Sequence, residues 1–310
     1  MNEQNIQPHR PLLRQIFLSP DESRLRAGWR LLLQGLLRLF ISGCFGVVLA
    51  VIALTLAPSL INDFLFEIGP VQMLLGTVGE TIAITTAVFL ARRYLDKRSI
   101  ESLGLKISTQ TIIDILTGIG ITLLQMGSIY LVMSGLGWVT FEGFAWEIDP
   151  IGLVIKNTLI FLAIFILVGW HEELLSRGYH LQTIASGLNL SWGVMLSSAF
   201  FGLLHLGNPN ANWISTAGIF LAGLFFAFAY IRTKQLWLPM GMHLGWNFFE
   251  GIVFGFPVSG LNMYPLTRIQ IHGPEIWTGG AFGPEAGLIV VPALVLGVVL
   301  IYVYTANRNT

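Results

Sequence analysis

Long apolar runs, broken by short polar or basic segments, dominate the pattern along this chain. A bilayer core needs about 20 apolar residues per helix. Runs of that kind predict helices at 35–57, 70–91, 112–133, 153–184, 191–206, 213–231, 236–254 and 286–305. The fifth is short, and the fourth is longer than a bilayer requires. Ahead of them, residues 1–30 are polar and broken by Pro8, Pro11 and Pro20, unlike a cleaved signal peptide. Leu12, Leu13, Ile16 and Phe17, beside Arg10 and Arg14, would give a short interfacial helix its apolar face; a loosely ordered tail is the equal alternative. The expected architecture is an all-α integral membrane protein, about eight transmembrane helices enclosing an intramembrane polar cavity. Residues 1–30 are expected to be a cytoplasmic segment and 31–310 one polytopic domain. The stretch 255–285, rich in glycine and proline, reads as a long external loop folded over the top.

Composition points the same way. Apolar residues make up 54% of the 310-residue chain and charged residues 11%, about half the charged share of a soluble domain. So few charges cannot cover a water-facing surface. The single cysteine, Cys44, lies in an apolar run and supports neither a disulfide framework nor a Cys-ligated metal.

A net charge of zero hides a strong asymmetry. Basic residues stay on the cytoplasmic side of a membrane. Arg10, Arg14, Arg24, Arg26 and Arg30 precede the first run, with Arg38 just inside it. Arg92, Arg93, Lys97, Arg98 and Lys106 fall between the second and third, Arg232 and Lys234 between the sixth and seventh, and Arg308 in the tail. The intervening segments hold only Lys156 and Arg268 as cations, and carry Asp63, Glu67, Glu142, Glu147 and Asp149. Alternating spans with both termini in the cytoplasm fit this distribution.

Against that background a few polar side chains stand inside apolar runs, where each costs roughly 2.5–3.5 kcal/mol unless it faces a cavity and a partner. The first group is Glu172-Glu173-Leu174-Leu175-Ser176-Arg177. Glu173 and Arg177 are four apart, acid first, the favourable order for a helical ion pair. Glu172 points about 100° away and stays free for proton transfer. The second is Phe201-x-x-x-His205, and the third His243-x-x-x-Asn247, each pair on one helical face. Counted at 1.5 Å per residue from the turns, Glu172, His205 and Asn247 reach similar depths of about 20–23 Å, with His243 one turn nearer the cytoplasm.

These motifs, in this order, resemble the CPBP family of intramembrane endopeptidases, which includes type II CAAX prenyl proteases and Abi-like relatives linked to bacteriocin processing. The matching residues are Glu172, Glu173, Arg177 and Gly178, then Phe201 and His205, then His243 and Asn247. The matching core runs from about 151 to 254. Ser176 departs from the pattern, since the family often has an aromatic residue before the arginine. Other intramembrane hydrolases fit poorly. Leu175 stands where a zincin-like motif beginning at His171-Glu172 needs its second histidine. The rhomboid Gly-x-Ser-Gly and the aspartyl-protease motifs are absent from the sequence.

The resemblance implies peptide hydrolysis by an activated water. Glu172 and His205 would orient and deprotonate it, His243 and Asn247 would bind the oxyanion, and Glu173 with Arg177 would support the catalytic helix. In a competing scheme Glu172, His205 and His243 hold a divalent metal such as zinc, because two His and one Glu are a recurrent catalytic set. The expected partners are membrane lipid and a peptide or protein substrate, with no nucleic acid. A prenylated substrate is not implied, and the chain reads as a prokaryotic cell-membrane protein. A transporter would show paired broken helices or repeats, and a non-catalytic scaffold or immunity factor would have lost motif residues; these are the rival readings. Glu80 is expected to be a satisfied structural carboxylate. Glu250 continues the His243 face but is no part of the resemblance.

Overall fold

The computed structural model describes residues 12–20, 22–56 and 69–308 of the chain. Pro8, Arg10, Pro11, Asp63 and Glu67 lie outside the described residues. The described part is mostly helical: α1 (Leu12–Phe17), α2 (Ala27–Leu56), α3 (Pro70–Leu90), α4 (Thr109–Gly135), α5 (Ile151–Gly187), α6 (Leu190–Leu204), α7 (Trp213–Thr233), α8 (Trp237–Asn247), the single turn α9 (Glu275–Thr278) and α10 (Val290–Thr305). Each predicted apolar run has its helix. Six of them are long and apolar enough to cross a membrane. The seventh and eighth are shorter: α8 has 11 residues plus 6 in a widened continuation to Val253, and α10 has 16. The chain is an all-α, multi-pass membrane protein, and among the described residues six helices reach full length against the eight expected.

Lipid-facing surface explains the apolar excess. On α2, Leu36, Leu39, Phe40, Val47 and Val51 are all exposed, and Cys44 is exposed among them as a free thiol. The residues turned inward are smaller. A Cβ on Gly241 of α8 would lie 2.3 Å from the Ile115 carbonyl oxygen of α4, and one on Gly169 of α5 would lie 3.1 Å from the Met240 carbonyl oxygen. Without a solvent to drive apolar helices together, such close backbone approach is how membrane helices bind each other. It wedges α8 between α4 and α5, and α8 carries His243 and Asn247.

The polar segments gather at two ends. At one end, Arg30 of α2 pairs with Asp96, and Lys97 donates to the Ser23 carbonyl at 2.7 Å. There too Leu236 N–H donates to Gly104 O at 2.8 Å and Arg232 donates to Thr305 Oγ1 at 2.8 Å. The opposite end holds two short strands, β1 (Val139–Phe144) and β2 (Thr267–Ile271), paired antiparallel with a bulge between Phe141 and Gly143. Asp149 bonds Tyr264 and Arg268 at 2.7 and 2.6 Å beside them. No strand is expected from the sequence, because the pairing joins segments more than a hundred residues apart. The N-terminal helix α1 lies against α2 through Phe17, which stacks on Trp29 at 5.0 Å.

Candidate active site

Helix α5 is regular to Glu173 and then widens into eight residues of π-helix, Leu174–Leu181, before a last α-helical turn. Such i→i+5 stretches are rare and concentrate at functional sites. Glu172 and Glu173 stand at this change of pitch and meet different surroundings. Glu173 is fully buried; its Oε1 accepts from Arg177 at 2.7 Å and from His243 Nδ1 at 2.8 Å. Glu172 is half-buried, and its Oε2 is buried without a hydrogen-bond partner.

Arg177 is held on every side. Its second terminal nitrogen donates to the Gly223 carbonyl of α7 at 2.8 Å, and its guanidinium lies over the rings of Phe201 and Phe226, 4.6 and 5.2 Å from their centroids. Cation–π contact adds to the ion pair where water is absent. Phe226 also stacks flat on His243, 5.0 Å away and 2° from parallel. The Phe201-x-x-x-His205 spacing has a second consequence. At the end of α6 the Phe201 carbonyl lacks a helical partner, and His205 Nδ1 meets it at 2.8 Å. A carbonyl oxygen only accepts, so this nitrogen carries the proton and His205 Nε2 is left to face the cavity.

Both imidazole Nε2 atoms then converge on one carboxylate oxygen. His205 Nε2 lies 3.9 Å and His243 Nε2 3.8 Å from Glu172 Oε2. The one-turn depth difference expected for His243 is closed by side-chain reach. These gaps are too long for direct hydrogen bonds and leave room for one small species between the three atoms. Asn247, one turn beyond His243, lines the same cavity of about 340 Å³, as does Ser176.

The donor set of Glu172, His205 and His243 is that of catalytic zinc sites, and two metal–ligand bonds of about 2.0–2.2 Å span such gaps. Among the described residues no group of three or more His, Cys, Asp and Glu side chains is gathered closely enough to be a ready-made metal cage. The set therefore fits a metal by chemistry and reach, not as a closed shell.

Other polar groups line or flank the cavity. Glu80 accepts from Arg38 at 2.9 and 3.1 Å and from Ser42 at 2.9 Å, a satisfied carboxylate. His171 shares a hydrogen bond with Thr81 at 2.9 Å. Sequence reasoning missed Glu285, which reaches the cavity from the segment just before α10 as part of its roof. Nothing in its local sequence, Gly-Pro-Glu-Ala, marks it out.

A family model described as Type II CAAX prenyl endopeptidase Rce1-like matches residues 154–249. That stretch carries all three motifs. The core of this chain, residues 154–249, is similar to that family. Within 100 residues the chain is 28% identical to "Putative membrane peptidase YdiL" of Bacillus subtilis (strain 168), covering 32% of this chain and 39% of that protein. The chain thus spans well under half of that relative's length. No solved structure matches.

Proposed function

We propose that the protein is an intramembrane endopeptidase in which Glu172 and His205 activate a water against a peptide bond. The observation that carries this reading is the convergence of two Nε2 atoms on a partnerless Glu172 oxygen. A water at the centre, within about 3 Å of each atom, donates one hydrogen to Glu172 and one to His205. As its oxygen attacks the carbonyl carbon, the proton passes to Glu172, which returns it to the departing amine. His205, whose Nδ1 donates to the Phe201 carbonyl, presents Nε2 as the acceptor. His243 is backed by the Glu173 carboxylate, which equips it to hold a second proton and donate from Nε2 to the oxyanion beside the Asn247 amide. Glu173 thus orients His243 as well as bracing Arg177. In the metal-dependent variant of this reading, Glu172, His205 and His243 hold the ion, which would supply Lewis acidity and a more acidic water. Substrates are membrane-associated or lipidated proteins and peptides.

The deciding experiment uses the purified protein in nanodiscs with a peptide library. Glu172→Gln keeps the shape but cannot take a proton, so turnover falls by about 10²–10⁴ while the melting temperature holds. Full turnover in a folded Glu172→Gln protein would overturn the assignment. Treatment with a strong chelator followed by zinc separates the two schemes: loss and recovery select the metal, unchanged turnover selects water activation alone.

We infer the orientation from the basic-residue asymmetry: both termini and the 92–106 and 232–235 loops face the cytoplasm of a prokaryotic cell, and 134–150 and 255–285 face outward. Impermeant thiol labelling of single cysteines checks this. Labelling from outside at position 97 contradicts it.

A further inference from the structure

Glu285 is 6% exposed, sits in the turn Pro284–Ala286 just before α10, and forms part of the cavity roof. Three uncharged donors fix it. Trp246 Nε1–H donates to its Oε1 at 3.2 Å, and the Ser259 N–H and hydroxyl donate to its Oε2 at 2.8 and 2.6 Å. All three bonds treat the carboxyl as an acceptor. No guanidinium or ammonium of this chain pairs with it among the described residues, whereas Glu80, the other acid at the rim, is neutralised by Arg38.

Behind Glu285 stands a second acid. Glu250, at the widened end of α8, is fully buried, and both its oxygens lack a hydrogen-bond partner. The two are brought together by the 283–286 turn: a Cβ at Gly283 would lie only 3.5 Å from Glu250 Oε1. Gly283 has φ +106 and its Cβ would also strike the Pro257 carbonyl at 2.1 Å, so only glycine lets the turn press this close. The roof is anchored further by Asn208, which donates to Ser259 O at 2.9 Å. A pinned carboxyl lining the cavity, backed by an unpartnered buried carboxyl and paired with no arginine or lysine among the described residues, is a site suited to a positive charge. The indole of Trp246 and the ring of Phe226 also line the cavity and suit the methylene stem behind such a charge.

We propose that Glu285, reinforced by Glu250, is the specificity-determining acid of this cavity and receives a lysine or arginine side chain of the peptide substrate. This inference rests on the endopeptidase reading, so its test is a binding measurement that needs no turnover. The full chain carrying Glu172→Gln, in nanodiscs, is titrated with peptides in which lysine is walked through each position, with norleucine peptides of the same length as controls. In one register lysine binds about ten- to a hundredfold tighter than norleucine, the range for one charge-assisted hydrogen bond. Adding Glu285→Gln abolishes that preference without changing the affinity of the norleucine peptide more than about twofold. If that variant fails to fold, Glu250→Gln, which leaves the Trp246 and Ser259 bonds in place, weakens the lysine preference instead. Absence of a lysine-preferring register, or a preference that survives both substitutions, overturns the proposal. If lysine binding is present but the unsubstituted protein cleaves nothing, the catalytic reading fails and the cation site stands.

Discussion

Two buried acid clusters occupy opposite parts of this membrane protein, and they are built on opposite rules. At the loop end, Asp96 is ion-paired to Arg30 and to Arg92, the latter at 3.1 Å. Arg92 spends its remaining donors on Ser102 at 2.9 and 2.8 Å and on Gln182 at 2.7 Å, and Arg30 reaches Ser186 at 2.8 Å. That cluster ties α2, the end of α3 and the end of α5 together, and its carboxylate has a cation on each side. In the cavity, Glu172 keeps an oxygen with no donor and two imidazoles held just out of reach. A cluster whose carboxylate is paired holds a structure in place, whereas an acid left without a donor is poised to hold something else. The contrast separates the clamp from the reaction centre even though both are built from acids, bases and helices.

Stability measurements sharpen this contrast most. Asp96→Ala strands two buried guanidinium groups, and breaking a buried pair in this way costs about 3–5 kcal/mol. Glu172→Gln removes no satisfied partner, and its melting temperature should equal or exceed that of the parent, as when an activity-bearing strain is relieved. Equal loss in both variants, followed by thermal or denaturant unfolding in nanodiscs, would erase the distinction between the clusters.

Arg177 tests whether the cavity has a structural half of its own. Arg177→Ala leaves Glu173 fully buried against His243 alone, with a stability loss at the lower end of about 3–5 kcal/mol because one partner remains. Glu173→Gln with Arg177→Met should recover much of that stability but not activity, since His243 loses its carboxylate. An Arg177→Ala protein that melts like its parent would show that the pair contributes nothing.

How much of this was legible in the sequence follows from distance along the chain. The helices are written in the length of apolar runs, and the pairing of Glu173 with Arg177 in a four-residue spacing, so both could be read. Phe201 and His205 were legible as a pair, but the use of Phe201 as a platform for Arg177 requires α5 beside α6. Arg30 and Arg92 read only as topology signals, because a cation near a span end looks the same whether it faces water or lies buried, and Asp96 drew no reading at all. The roof was least visible. Its strands join 139–144 to 267–271, and Glu285 meets Trp246 and Ser259 only after the 255–285 segment folds back. The π-helical stretch after Glu173 likewise has no periodicity that announces it.

A smaller effect is expected at Asn247, which stands at the cavity wall and not at the convergence point. Asn247→Ala should lower turnover by about 10²–10³ through the oxyanion alone, with KM nearly unchanged. A change confined to KM would make Asn247 a substrate-binding residue instead.

The smallest expected effect concerns the frame that both clusters share. Gly241 of α8 faces α4 so closely that a Cβ would lie 2.3 Å from Ile115 O and 2.7 Å from Ile115 Cα, both backbone atoms that no rotamer change can move aside. Gly241→Ala must push α8 away from α4, an overpacking cost of about 1–3 kcal/mol. His243 lies two residues along the same helix, so displacing α8 from α4 toward α5 also disturbs the 3.8 Å approach of His243 to Glu172. Turnover should therefore fall further than stability does, since a misplacement of about 1 Å can cost 10²-fold in rate. The loop-end cluster, which contains no residue of α8, should be untouched, so protection of the Arg92 side of the molecule from hydrogen exchange should match the parent. If exchange rises equally at both ends, the two clusters are not independent units and the contrast between clamp and reaction centre fails.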